Sequence, residues 1–160
     1  MTFGCSDGAS ELRVWEEIHR RAPSWFLTCL SCTDKLSFVK WLHAMQVSWY
    51  RNGDVIVFCV PQRQSHVVEV HLAILSPLYL VRREMEELLE WLFALSWKRI
   101  VVPVTSNAGR GIRKALREMG FEKEGTLRAA QRGFNTRSAT EEYLDVDVWA
   151  ILKEGDRNGL

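Results

Sequence analysis

Pro103 stands inside an apolar run, and no other residue constrains the fold as much. Over 66–121 the chain reads as strand, loop, helix, strand, loop, helix. An apolar strand covers 66–75, a loop 76–83 and a helix about 84–95. A second strand over 99–104 ends in Thr105-Ser106-Asn107, and a second helix closes on Gly120-Phe121. That order implies two parallel strands joined by a crossover helix. Proline has no N–H to give to a ladder, so it is tolerated at a sheet edge or where a sheet opens. If 99–104 is central, its neighbour must diverge near Pro103. The split leaves unpaired backbone groups facing a slot, where an extended, amide-bearing ligand can pair. Ligands of open α/β sheets sit beyond the carboxyl ends of the strands. The sequence therefore places a small-molecule site among 69–83 and 106–110.

The rest of the chain supplies a meander and its covering helices. Ser10 is placed to cap a helix over 11–21, with Leu12, Trp15 and Ile18 on one face and Pro23 beyond its end. Segment 25–32 is apolar without a period. Thr33 or Asp34 opens a helix to about Met45, with Phe38, Trp41, Leu42 and Met45 at helical spacing. Strands over 47–51 and 54–60 flank Asn52-Gly53, a dipeptide suited to a tight hairpin. With 66–75 they make an antiparallel meander of three. The helix over 84–95 offers Met85, Leu88, Leu89, Leu92 and Leu95 to a sheet. The last helix carries Ile112, Ala115, Leu116 and Met119 inside and Arg110, Arg113, Lys114 and Arg117 outside, with Gly120 as its stop. Two closing strands, 121–131 and 142–152, run antiparallel about a connection over 132–139. Residues 1–9 and 156–160 read as frayed ends. The expected class is α/β (α+β): one domain over 1–160, with a mixed sheet of six to seven strands, about four helices, and a splay between 66–75 and 99–104.

Composition excludes several classes. With 160 residues, 47% apolar and 26% charged, the chain suits one soluble core. No apolar run is long enough to cross a bilayer, and 1–10 lacks the regions of a signal peptide. A cytoplasmic protein with no membrane partner is expected. Cys29 and Cys32 form a lone CxxC without a second ligand pair, which reads as reduced thiols and no metal site. A net charge of +1 argues against whole-surface attraction to nucleic acid. The charge is uneven, however. Over 107–137 the bases Arg110, Arg113, Lys114, Arg117, Lys123, Arg128, Arg132 and Arg137 face only Glu118, Glu122 and Glu124. A solvated helix face or a phosphate-bearing ligand explains that bias, and nucleic acid remains the weakest partner class.

This element order resembles that of the GNAT superfamily, the GCN5-related N-acetyltransferases. Local residues carry the resemblance from Val47 to Glu154. Pro77-Leu78-Tyr79 is similar to the Pro-x-Tyr that opens the family's acyl-CoA pyrophosphate loop. Asn107 resembles the Asn after its fifth strand, and Gly120-Phe121 its Gly-Phe at the end of the next helix. Glu124-Gly125 with Arg128, then Asp147 and Trp149, resemble a divergent branch met in phage and bacterial genomes. The resemblance implies acetyl-CoA as co-substrate. Its pantetheine amides would pair with the backbone of Leu72, Ala73, Ile74 and Leu75, and its pyrophosphate would rest on the helix start at Leu80, Val81, Arg82, Arg83, Glu84 and Met85, with Asn107 nearby. The family's loop glycines are absent: their positions hold Leu80, Arg83 and Met85. Arg82 and Arg83 can replace lost backbone contacts with charge, or the site has decayed. The family's acid tyrosine has Leu116 at its position.

Alternation along 66–75 puts Glu69 and His71 on one face, near the expected slot. Acyl transfer to an amine needs a base for the ammonium proton, and either residue suits that task. Tyr79 and Ser106 are the hydroxyls placed to protonate a leaving thiolate, although Ser106 also suits a helix cap. The partners implied are a small-molecule or protein amine acceptor and, within the range open to such a chain, a homodimer. The expected function is N-acyl transfer from acetyl-CoA. The alternative is an inactive binding or structural protein on the same fold.

Overall fold

The computed structural model describes residues 2–4, 8–26, 32, 34–63, 66–135 and 140–153, and the side chains within them except at 2–4, 8–9 and 133–135. The elements run β1 (Thr2–Gly4), α1 (Gly8–Arg21), α2 (Lys35–Ala44), β2 (Ser48–Asn52), β3 (Val55–Pro61), β4 (Val67–Ile74), a 3₁₀ turn (Leu78–Leu80), α3 (Arg82–Ala94), β5 (Arg99–Thr105), α4 (Arg110–Glu118), β6 (Glu122–Asn135) and β7 (Thr140–Leu152). One seven-stranded sheet has the order β1-β2-β3-β4-β5-β7-β6. Among the described strands only β4 and β5 pair in parallel, joined by α3 as expected.

β3 explains why helices cover both faces. Val55 to Val60 are all buried. Val55, Val57 and Cys59 pack with Leu88 and Leu92 of α3 and Leu116 of α4. Ile56, Phe58 and Val60 face Ile18 of α1, Phe38 and Leu42 of α2, and the Trp25-Phe26 pair. Phe58 meets Phe38 edge-on at 5.8 Å and Trp25 at 5.1 Å. Complete burial of rings of this size contributes roughly 1.5–3 kcal/mol each.

Several details differ from the sequence reading. α1 begins at Gly8, so Ser10 lies inside it rather than capping it. Asp34 caps α2: Ser37 N–H donates to its carboxylate at 2.8 Å, and its own N–H donates to the Ser37 hydroxyl at 3.3 Å. The hairpin loop is Gly53-Asp54, one residue later than expected. Only Gly53 needs a positive φ (56°), the pattern with glycine first in a two-residue loop. Within the segment read as a frayed end, Thr2–Gly4 pairs with Trp49–Arg51. β6 and β7 extend further toward each other than expected, and 136–139 lies outside the described residues. Cys32 and Cys59 are buried thiols outside any disulfide, and burial pushes Cys59 up to about 12. Cys29 lies outside the described residues, so the CxxC pair is not described. Among the described residues no group of His, Cys, Asp or Glu could hold a metal, and no helix is long and apolar enough to cross a membrane.

Candidate active site

The parallel ladder between β4 and β5 is only three pairs long: Val67 with Arg99, Val68 with Ile100, and Glu69 with Val101. It begins where Arg99 N–H donates to the His66 carbonyl at 3.1 Å. In this register Val68, Val70, Leu72 and Ile74 turn their backbone groups toward β5. The alternate residues turn toward β3, as the bond from Leu75 N–H to Asp54 O (2.9 Å) confirms. The next rung needs residue 103 to donate to the Val70 carbonyl. Residue 103 is proline, so the rung cannot form and the strands part.

The parting makes a cavity of about 400 Å³. His71, Leu72 and Ile74 line one side, Val102 to Thr105 the other, Asn107 to Gly109 and Ile112 the mouth, and Trp25 the wall on the α1 side. Trp25 is buried, and its indole N–H donates to the Leu72 carbonyl at 2.7 Å. One of the β4 groups facing the gap is therefore already used by the protein.

Arg113 fixes the mouth. It donates to Ala108 O at 2.7 Å, Thr105 O at 2.8 Å and the Asp147 carboxylate at 3.2 Å. The sequence reading put Arg113 on the outer face of α4. Its guanidinium instead turns back to the strand end, because the loop carbonyls need donors there. Arg117 lies 5.9 Å over the Trp149 ring. At the exit of β4 a second clasp holds three elements together. Arg21 donates bidentately to Asp54 at 2.8 Å for both bonds and reaches Leu75 O at 3.2 Å, while Ser76 donates to the same carboxylate. Arg21 and then Ser76 hold the Asp54 carboxyl down to about 2.

The residues singled out from sequence divide into three groups. His71 and Glu69 come together: His71 Nε2 lies 2.8 Å from Glu69 Oε1, and Gln62 donates to Glu69 Oε2 at 3.2 Å. The His71 ring is T-stacked on Trp41 at 5.5 Å and lines the gap. Leu72 and Ile74 face the gap with their backbone, while Ala73 and Leu75 face β3. Asn107 stands at the mouth, and exposed Ser106 lies beside it, with its N–H on Asp145 O at 2.8 Å. Ser106 does not cap α4, whose N-cap is Gly109.

The third group gathers at the start of α3. Tyr79 is 80% exposed and lies outside the gap. With Leu78, Arg82, Met85, Lys114 and Glu118 it lines a separate cavity of about 390 Å³ between α3 and α4. Arg82 pairs with Glu86 at 2.9 Å and Glu118 at 3.2 Å, and Arg83 with Glu87 at 2.9 Å. The Val81 and Met85 side chains are buried, Leu80 is exposed, and one oxygen of Glu84 is buried without a hydrogen bond. Sequence reasoning weighed Trp25, with Trp41 and Trp49, as a pocket wall but favoured core packing, and it read Lys114 only within a basic stripe that a solvated face or a phosphate-bearing ligand explains.

No family model matches the sequence, and no curated protein matches it either. Solved structures do. A probable GNAT-family acetyltransferase from Chromobacterium violaceum superposes with a TM-score of 0.67 at 20% identity, over 94% of this chain and 81% of its own. A ribosomal-protein-alanine N-acetyltransferase from Brucella melitensis gives 0.67 at 15%, over 96% and 100%. An acetyltransferase from Salmonella typhimurium that modifies an N-terminal serine of a 50S ribosomal subunit protein gives 0.70 at 10%, over 95% and 94%. A sheet parted between its parallel strands, with the same element order along nearly the whole chain, is the architecture of the GNAT superfamily, and this chain has that fold.

Proposed function

We propose that the protein is an N-acyltransferase that moves an acetyl group from coenzyme A to an amine by direct attack. The gap opened at Pro103 carries this reading, because it leaves backbone groups of Leu72 and Ile74 beside a space of about 400 Å³. These groups suit the amides of a pantetheine arm. At the other end, the helix start leaves the N–H groups of Arg82, Arg83 and Glu84 without intrahelical acceptors. Arg82 and Lys114 add positive charge beside them. Bound acetyl-CoA supplies an activated thioester.

The chain's own residues would manage the protons. An amine arrives as ammonium and must lose a proton to become a nucleophile. With Glu69 beside Nε2, His71 keeps Nδ1 as the acceptor, and Glu69 stabilises the imidazolium that results. The nitrogen–carbon bond forms, the carbon–sulfur bond breaks with its electrons on sulfur, and the extra proton left on the new amide nitrogen ends on the thiolate. Ser106 is the nearer of the two hydroxyl candidates to the mouth. The neighbours that act on ribosomal proteins support a protein or small-molecule amine as acceptor, and the reading carries a cytoplasmic setting with it.

A second reading has its own support. The Glu84 carboxylate, one oxygen of which is buried without a hydrogen bond, and the bulk of Leu80, Arg83 and Met85 at the helix start oppose a diphosphate, as expected of a GNAT fold that has lost CoA. An acetyl-CoA assay that follows thiol release and amide product by mass spectrometry separates the two. Amine-dependent release that falls at least about a hundredfold in His71→Ala supports transfer. No amine-dependent release from the intact protein supports the second reading.

A further inference from the structure

Among the described residues, Trp49, Glu84, Arg99, Thr105 and Trp149 each have a buried polar side-chain atom without a hydrogen bond, and of these Thr105 alone lines the gap. Thr105 is 3% exposed, and its hydroxyl oxygen is the atom left unpaired. A buried hydroxyl without a partner costs stability, so its presence needs an explanation.

The sheet sets where this hydroxyl stands. Val102 and Val104 pack in the core under α3 and α4. Alternation therefore turns Thr105 to the opposite face, which also carries His71 and Trp25. The Thr105 backbone pairs with Val146 of β7, and its carbonyl accepts from Arg113 at 2.8 Å. The residue is thus fixed by contacts that leave its hydroxyl unused.

Several carbonyls around the gap are already taken by the protein. The Leu72 carbonyl accepts the Trp25 indole N–H at 2.7 Å, and Trp25 itself lines the gap, so its ring stands at that carbonyl. The Thr105 and Ala108 carbonyls both accept from Arg113. An arm that brings an amide N–H into this space loses water and needs an acceptor. A hydroxyl oxygen can supply one. We propose that Thr105 is a binding residue of the gap, and that its hydroxyl oxygen accepts an amide N–H of the thioester arm in place of the Leu72 carbonyl, which Trp25 occupies. The proposal rests on reading the gap as the thioester site. Recognition is then divided between the strands: β4 contributes backbone and β5 contributes a side chain.

Thr105→Val tests this, because it keeps the branched shape and removes only the hydroxyl. Without ligand, the variant should melt about 2–4 °C above the intact protein, since the unpaired hydroxyl is gone. In isothermal titration it should bind acetyl-CoA about tenfold more weakly. Thr105→Ser keeps the hydroxyl and should stay within about threefold of the intact protein. Trp25→Phe frees the Leu72 carbonyl, so Thr105→Val added to it should cost less than about threefold. A lower melting temperature in Thr105→Val, unchanged affinity, or the same loss with and without Trp25→Phe overturns the proposal. No acetyl-CoA binding by the intact protein removes the thioester reading of the gap and this inference with it. Binding that Thr105→Val leaves unmoved removes the role of Thr105 alone.

Discussion

The two ends of the proposed cofactor track are built differently. The gap between β4 and β5 depends on backbone: an absent N–H at Pro103 ends the ladder, and the Leu72 and Ile74 backbone faces the opening whatever their side chains are. The start of α3 depends on side chains, because close approach of a diphosphate needs small residues and no opposing charge. Here Leu80, Arg83 and Met85 are large, and Glu84 brings a carboxylate. A feature written in the ladder survives drift in side chains, whereas one written in small side chains is lost with a few substitutions. The mixed character of this site follows from that difference.

Substitution at the gap should have the largest effect. Pro103→Val restores a donor, extends the ladder and closes the cavity. Acetyl-CoA binding should be lost outright while stability rises by about 1 kcal/mol per added ladder bond. A thermal melt and a titration on the same sample check both. Unchanged binding would show that the gap is not held open by the proline. Next is Arg113→Met, which leaves the carbonyls of Thr105 and Ala108 without their charged donor. A loss of about 2 kcal/mol is expected in urea unfolding, together with weaker binding at the mouth.

These two residues also mark how far the sequence could be read. The parallel pair, the crossover helix, the three-strand meander and the split at Pro103 were legible, because period and a missing donor dictate them. The Glu69–His71 pairing followed from strand alternation alone. The inward turn of Arg113 was not legible. Helical spacing gives its place on α4, but the loop carbonyls it serves are set by tertiary structure. Trp25 was legible only as a choice between core and pocket wall, since segment 25–32 has no period and its bond to Leu72 crosses 47 residues. Lys114 sits in a basic stripe that spacing reads as solvated.

The clasp at the exit of β4 gives a smaller, pH-dependent effect. The folded-state pKa of Asp54 is depressed to about 2, so its pairing stabilises the fold above its unfolded pKa of about 4. That stability is lost as pH falls from about 4 toward 2. Melting temperature should drop over this window, and Asp54→Asn should flatten the drop while lowering stability at pH 7. A variant with an undiminished slope would place the clasp elsewhere.

The smallest change sharpens the contrast at the helix start. Glu84→Gln removes the charge that opposes a diphosphate, and acetyl-CoA affinity should rise by about twofold to fivefold, the scale of one charge at a helix end. Dephospho-CoA and pantetheine arms measured beside it would show whether the gain lies at the diphosphate. A gain equal for pantetheine would assign Glu84 to the gap instead.

The central claim is that the parted strands hold a CoA thioester. Isothermal titration of the intact protein with acetyl-CoA tests it most directly. The account predicts saturable one-to-one binding below millimolar concentration that disappears in Pro103→Val. No binding to the intact protein at millimolar acetyl-CoA would contradict it.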